Sequence, residues 1–114
     1  MNNKIAIAST DGKVVNEHFG RAQHFHIFEI GKGGYRHLES RTVSACCHSQ
    51  GHNHEAFDKV AKALRDCRAI IVAKIGEGAS TYLESKGFLV FEAPYLIDGV
   101  MKKIIEDNLL EGGA

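Results

Sequence analysis

Hydrophobic and polar positions alternate at two different periods along this chain. The stretch KIAIAS, residues 4–9, is a short continuous apolar run closed by Thr10-Asp11-Gly12-Lys13, a turn sequence, and it predicts a buried first strand. VVNEHFGRA follows as a loop. HFHIFEI, residues 24–30, is rich in aromatic and β-branched side chains and predicts a second strand. Gly31-Lys32-Gly33-Gly34 then predicts a hairpin turn, and the alternating YRHLESRTV, residues 35–43, the third strand of a meander.

Beyond residue 54 the period changes. Phe57, Val60, Ala61 and Leu64 stand at i, i+3, i+4 and i+7, one apolar stripe of a helix that starts near residue 54, with Asn53 as its N-cap and Glu55 in its first turn. AIIVA, residues 69–73, is an uninterrupted apolar run of the kind that fills central parallel strands. KIGEGAS leads into a short helix around residues 79–85, which Gly87 ends, and FLVF predicts a fifth strand. Ile97, Val100, Met101, Ile104 and Ile105 stripe a closing helix. The order β-β-β-α-β-α-β-α predicts an α/β fold: a mixed five-stranded RNase H-like sheet of order 3-2-1-4-5, strand 2 antiparallel, with helices on both faces.

Composition narrows the function classes. The 114 residues predict a single domain, residues 1–114, with one core. Fourteen basic residues balance fourteen acidic ones, so no bulk charge draws the chain to nucleic acid or to an anionic membrane. The densest basic cluster, Lys102-Lys103, reads as a solvated helix face. No apolar stretch is long enough to span a membrane and the N-terminus lacks a signal-peptide core, so the expected location is cytoplasmic.

The chemistry is concentrated in ACCHSQGHNH, residues 45–54, where Cys46, Cys47, His48, His52 and His54 place five soft ligands within ten positions. Adjacent cysteines suit neither a disulfide framework nor a C-x₂-C zinc knuckle, and no second cysteine pair follows. The histidine spacings of four and two allow closure on one metal together with a cysteine, near a helix N-terminus that favours a thiolate. Set against this is a polar loop with incidental ligands, which that density of soft donors disfavours. Cys67 reads as a small buried residue, and His24, His26 and His37 as polar-face strand residues without a role.

IAIASTDGKVVNEHFGRAQHFHIFEI, together with AIIVAKIGEGASTYLESKGFLVFEA, resembles the dinitrogenase iron-molybdenum cofactor-binding family over nearly the whole chain. The most specific element is His18-Phe19-Gly20 followed by Ala22; the glycine turn at residues 76–78 adds to it by its place after the fourth strand. The resemblance implies an RNase H-like fold and the role of a nitrogenase accessory protein. Such a protein carries iron-molybdenum cofactor, its iron-sulfur precursor or a related metal-sulfur cluster to an apo-metalloprotein or cofactor-assembly protein, without catalysis. Carried over by position, it makes His18 the cluster ligand, with Phe19, Gly20, Gly76 and Gly78 as cofactor-binding neighbours. The Cys/His-rich loop departs from the nitrogenase members.

That carry-over has a physical basis. An anionic metal-sulfide cluster needs an imidazole or thiolate on an exposed metal and N–H donors to its sulfides. Gly20 lets backbone amides come close to a bulky ligand. The Gly76-Glu77-Gly78 turn opens a helix at its positive end. In the expected sheet order strands 1 and 4 are neighbours, so both loops emerge at the edge that holds the topological switch point, where α/β sheets usually bind ligands. Two other functions compete. A zinc, nickel or copper chaperone or sensor would use residues 46–54 alone. An RNase H-like nuclease needs carboxylates on the sheet, usually one inside the first strand, and Ile5-Ala6-Ile7-Ala8-Ser9 has none.

Overall fold

The computed structural model describes residues 3–31, 34–43, 54–107 and 109–110, with the side chains of Arg21, His54, Glu55 and Ala56 left aside. Its elements are β1 (Lys4–Ala8), a 3-10 turn (Phe19–Arg21), β2 (His24–Gly31), β3 (Gly34–Thr42), α1 (His54–Ala63), β4 (Ala69–Val72), α2 (Glu77–Ser85), β5 (Leu89–Glu92) and α3 (Ile97–Glu106). Every predicted strand and helix is present, with ends shifted by one or two residues. The expected N-cap Asn53 and the inner turn residues Lys32 and Gly33 lie outside the described residues.

The five strands form one sheet of order β3-β2-β1-β4-β5. β2 runs antiparallel to β1 and to β3, whereas β1 is parallel to β4 and β4 to β5. β1 and β4 are central, which explains their unbroken apolar runs: both faces of each are covered, and alternation with polar residues would bury unpaired groups. On one face Ala6, Ala8, Phe25, Ile27, Ile70 and Val72 pack under α1 and α2 through Phe57, Val60, Leu64, Ala79 and Leu83. The alanines of β1 leave room there for phenylalanine rings, so small and large side chains interlock. On the other face Ile5, Ile7, Phe28, Ala69 and Ile71 pack under α3 through Ile97, Val100, Met101 and Ile104. Helices thus cover both faces, as the pattern predicts. Cys67 is buried in the first of these clusters.

One irregularity matters later. The β2–β3 register runs Ile27↔Glu39 and then Phe28↔His37, which leaves Leu38 as an extra residue in β3. This bulge shifts the alternation of β3 by one position.

Among the described residues no helix is long and apolar enough to cross a membrane. Lys102 and Lys103 are exposed on α3 and pair with Asp98 and Asp107 at 3.0 and 3.1 Å, as a solvated helix face should.

Candidate cluster-binding edge

The long connection from β1 to β2 is held on both sides. At its start Ser9 is fully buried; its hydroxyl accepts the Gly12 N–H at 2.9 Å and donates to Asp11 Oδ1 at 3.2 Å. Asp11 Oδ1 in turn accepts the N–H groups of Lys13 and Val14 at 2.8 and 3.2 Å, and those backbone donors hold the carboxyl below its usual range. Asp11, the acid nearest the end of β1, is therefore committed to a turn. Val15 N–H donates to the Tyr95 carbonyl and Ile97 N–H to the Lys13 carbonyl, both at 2.9 Å, so the connection is fastened to the segment entering α3.

Its far end is fastened to the segment leaving β4. Ala73 N–H donates to the Glu17 carbonyl at 2.9 Å and Phe19 N–H to the Lys74 carbonyl at 2.8 Å, with His18 and Lys74 forming a parallel bridge. His18 is in an extended conformation (φ −78°, ψ 142°) as the N-cap of the 3-10 turn. The buried Phe19 packs with its ring centroid 6.1 Å from that of Phe57, and Ala22 is buried beside it. The motif His18-Phe19-Gly20-x-Ala22 thus has a mechanical reading. Phe19 and Ala22 drive the turn into the core, and an extended backbone at His18 leaves its imidazole exposed.

Two residues beyond Lys74, Gly76 caps α2 in an extended conformation with no side-chain hydrogen bond to the helix. The Glu92 carboxylate accepts the Ile75 N–H at 2.9 Å and steadies the approach to this helix start. A Cβ added at Gly76 or at Gly78, the second residue of α2, would meet nothing within 4 Å, so the space over the turn is open. Lys74 and the helix terminus supply positive potential here, and Glu77 in the first turn opposes it.

The expected residues fall into three groups. His18, Gly76 and Gly78 come together at the edge shared by the neighbouring strands β1 and β4, with Gly20 in the 3-10 turn beside His18. Phe19 lies in the core and anchors the turn next to His18. Cys46, Cys47, His48 and His52 lie outside the described residues, and of His54 only its backbone place as the first residue of α1 is described. Sequence reasoning passed over Lys74 and Glu92. Their signal, a polar residue at or just beyond the C-terminal end of a parallel strand, is visible only once the strand order is known. It also passed over the pair His26 and His37, whose rings meet on the α3 side of the sheet. Burial first, and then the neighbouring His37, push the His26 imidazole below its usual range.

Known proteins resemble the chain in sequence and in fold. The family described as dinitrogenase iron-molybdenum cofactor matches residues 1–107. The FeMo cofactor biosynthesis protein NifB of Frankia alni is 35% identical over 103 residues, which cover 88% of this chain and 20% of that protein. Protein NifX of Sinorhizobium fredii is 32% identical over 77 residues, 64% of this chain and 48% of that one. The chain therefore spans about a fifth of the length of the NifB relative and about half that of NifX. The apo form of the orange protein from Desulfovibrio gigas superposes with a TM-score of 0.69 at 17% identity, covering 94% of this chain and 90% of that one. That likeness is one of fold.

Proposed function

From the premise that this chain belongs to the dinitrogenase iron-molybdenum cofactor family, we propose that it binds a metal-sulfur cluster and carries it to an apo-metalloprotein or cofactor-assembly protein. The cargo is iron-molybdenum cofactor, its iron-sulfur precursor or a related cluster. In this reading the chain works as a single cytoplasmic domain and is a carrier with no catalytic step of its own. The observation that carries the proposal is the exposed His18, bridged through its backbone to Lys74 on the segment that leads into α2, whose N-cap Gly76 puts no side chain over the first amides.

The donor set fits such a cargo. His18 offers a nitrogen to an exposed metal, and the first amides of α2 offer N–H donors to sulfides. Gly20, Gly76 and Gly78 keep side chains out of the way of a bulky ligand. Because these elements are joined by backbone hydrogen bonds and a buried phenylalanine, the contact surface exists before the cargo arrives, and binding does not have to order it. Cys46, Cys47, His48, His52 and His54 act in this proposal as a second set of ligands on the same cargo.

Anaerobic incubation with iron-sulfur and molybdenum-containing clusters tests the proposal, with retained iron, molybdenum and sulfide measured alongside the visible spectrum. Stoichiometric sulfide and charge-transfer absorption are expected. Retention of colourless zinc without sulfide would replace the proposal with a zinc, nickel or copper chaperone or sensor built on residues 46–54.

A further inference from the structure

Strict alternation in β3 would place His37 and Ser40, three residues apart, on opposite faces of the sheet. The bulge at Leu38 puts them on the same face: Ser40 stands opposite His26, and His37 opposite Phe28. Since His26 and Phe28 are two residues apart in β2, all three polar side chains project to the side that carries α3. There His26 Nδ1 lies 3.2 Å from His37 Nε2, and Ser40 Oγ lies 3.1 Å from the first nitrogen and 3.5 Å from the second.

From this triangle we infer a second metal site, independent of the cluster edge, in which His26 Nδ1, His37 Nε2 and Ser40 Oγ hold one divalent first-row transition ion. Donors about 2.0–2.1 Å from a tetrahedral ion stand about 3.3 Å from one another. The three separations in the structure bracket that value, so an ion reaches all three donors from just outside their plane. The shared hydrogen bonds turn the two nitrogens towards each other, and a modest turn about each histidine χ2, a soft torsion, aims both lone pairs at the ion. Imidazole nitrogen selects zinc, copper or nickel over magnesium or calcium.

The surroundings hold His26 in place. Gly12, at φ +75°, lies against the ring: a Cβ there would sit 3.2 Å from His26 Cε1. His37 is exposed and braced by the Phe28 ring, with centroids 5.2 Å apart. Among the described residues no three His, Cys, Asp or Glu side chains cluster at metal-holding distance. The third donor is a neutral hydroxyl, so the site is an exchangeable one with its remaining positions open to solvent.

The test uses zinc alone on the full chain, with Cys46→Ser, Cys47→Ser, His48→Gln, His52→Gln and His54→Gln removing competition from the loop. In ¹⁵N-labelled protein, one equivalent of zinc is expected to move the His26 Nδ1 and His37 Nε2 resonances together to metal-bound positions, leaving His18 and His24 in place. His37→Gln, at an exposed position, should weaken saturable zinc binding about tenfold or more, as loss of metal-site support commonly does. Ser40→Ala should weaken it less. Zinc that saturates elsewhere, zinc that fails to saturate, or equal binding by folded His37→Gln overturns the inference. Cluster uptake through His18 is unaffected by any of these outcomes, so the two readings fail separately.

Discussion

The Phe19 N–H donates to the Lys74 carbonyl oxygen at 2.8 Å, and this bond joins the turn after β1 to the segment after β4. Its consequence is a division of labour between neighbours: Phe19 goes into the core and His18 stays in solvent.

His18→Ala and Phe19→Ala should therefore separate binding from folding. Removing the exposed imidazole is expected to change stability by about 0.5 kcal/mol or less while weakening cluster binding about 10- to 100-fold. Removing the buried ring should cost about 3–5 kcal/mol and release the turn. Urea unfolding of both variants, with anaerobic cluster titration of His18→Ala, checks the pair. A His18→Ala protein that binds cluster as tightly as the parent would show that His18 is not a ligand.

Cys46→Ser combined with Cys47→Ser asks whether the loop shares the cargo. If it does, that change and His18→Ala each weaken cluster binding, and the combination falls below either one. If the loop is a separate zinc site, the cysteine changes abolish its zinc and leave cluster uptake as it was.

One ion pair should contribute measurably to acid stability. Arg41 Nη1 and Nη2 reach Asp66 Oδ1 and Oδ2 at 2.6 and 2.8 Å, and Nη1 also donates to the Ala63 carbonyl, which ties β3 to the end of α1. The Arg41 guanidinium holds the Asp66 carboxyl well below the usual carboxylate range. A depressed folded pKa stabilises above the unfolded value of about 3.9, and that contribution is lost as pH falls below it. Solvent reaches Asp66, so the pair is worth about 1 kcal/mol rather than what a buried pair would give. Asp66→Asn should remove that much at pH 7 and flatten the fall in stability below pH about 4, measured by urea unfolding across pH.

Cys67 should be chemically silent in the folded chain. Burial, followed by the adjacent Asp66 carboxylate, pushes its thiol up to about 12, and it is only 5% exposed. The thiolate is the reactive form. Iodoacetamide at mildly alkaline pH should leave Cys67 unmodified until urea unfolds the chain, as peptide mass mapping will show. Labelling of Cys67 at the rate of a free thiol in the native protein would contradict its burial.

Gly12→Ala should cost about 1–2 kcal/mol, because the residue is left-handed, a conformation that penalises a Cβ. The new methyl group also presses on the His26 ring. A melting-temperature drop accompanied by displaced His26 resonances is expected; an unchanged melting temperature would contradict the backbone conformation.

Much of this architecture was legible in the sequence because it rests on local periodicity. Unbroken apolar runs in β1 and β4, a helical stripe from Phe57 to Leu64 and another through α3 each report a burial requirement that neighbours in sequence share. Together they determined the element order, for which this sheet order is the simplest topology, and that order brings the His18 turn and the Gly76 turn to one edge. Tertiary structure alone decided how the edge is built. The bonds from Glu17 and Phe19 to the β4 exit, and from Glu92 to Ile75, join residues far apart in the chain, and no period encodes them. The meeting of His26, His37 and Ser40 was hidden for a sharper reason. Period-two reading of β3 assigns His37 and Ser40 to opposite faces, and only the bulge at Leu38, a compromise between two strands in contact, turns them to the same side.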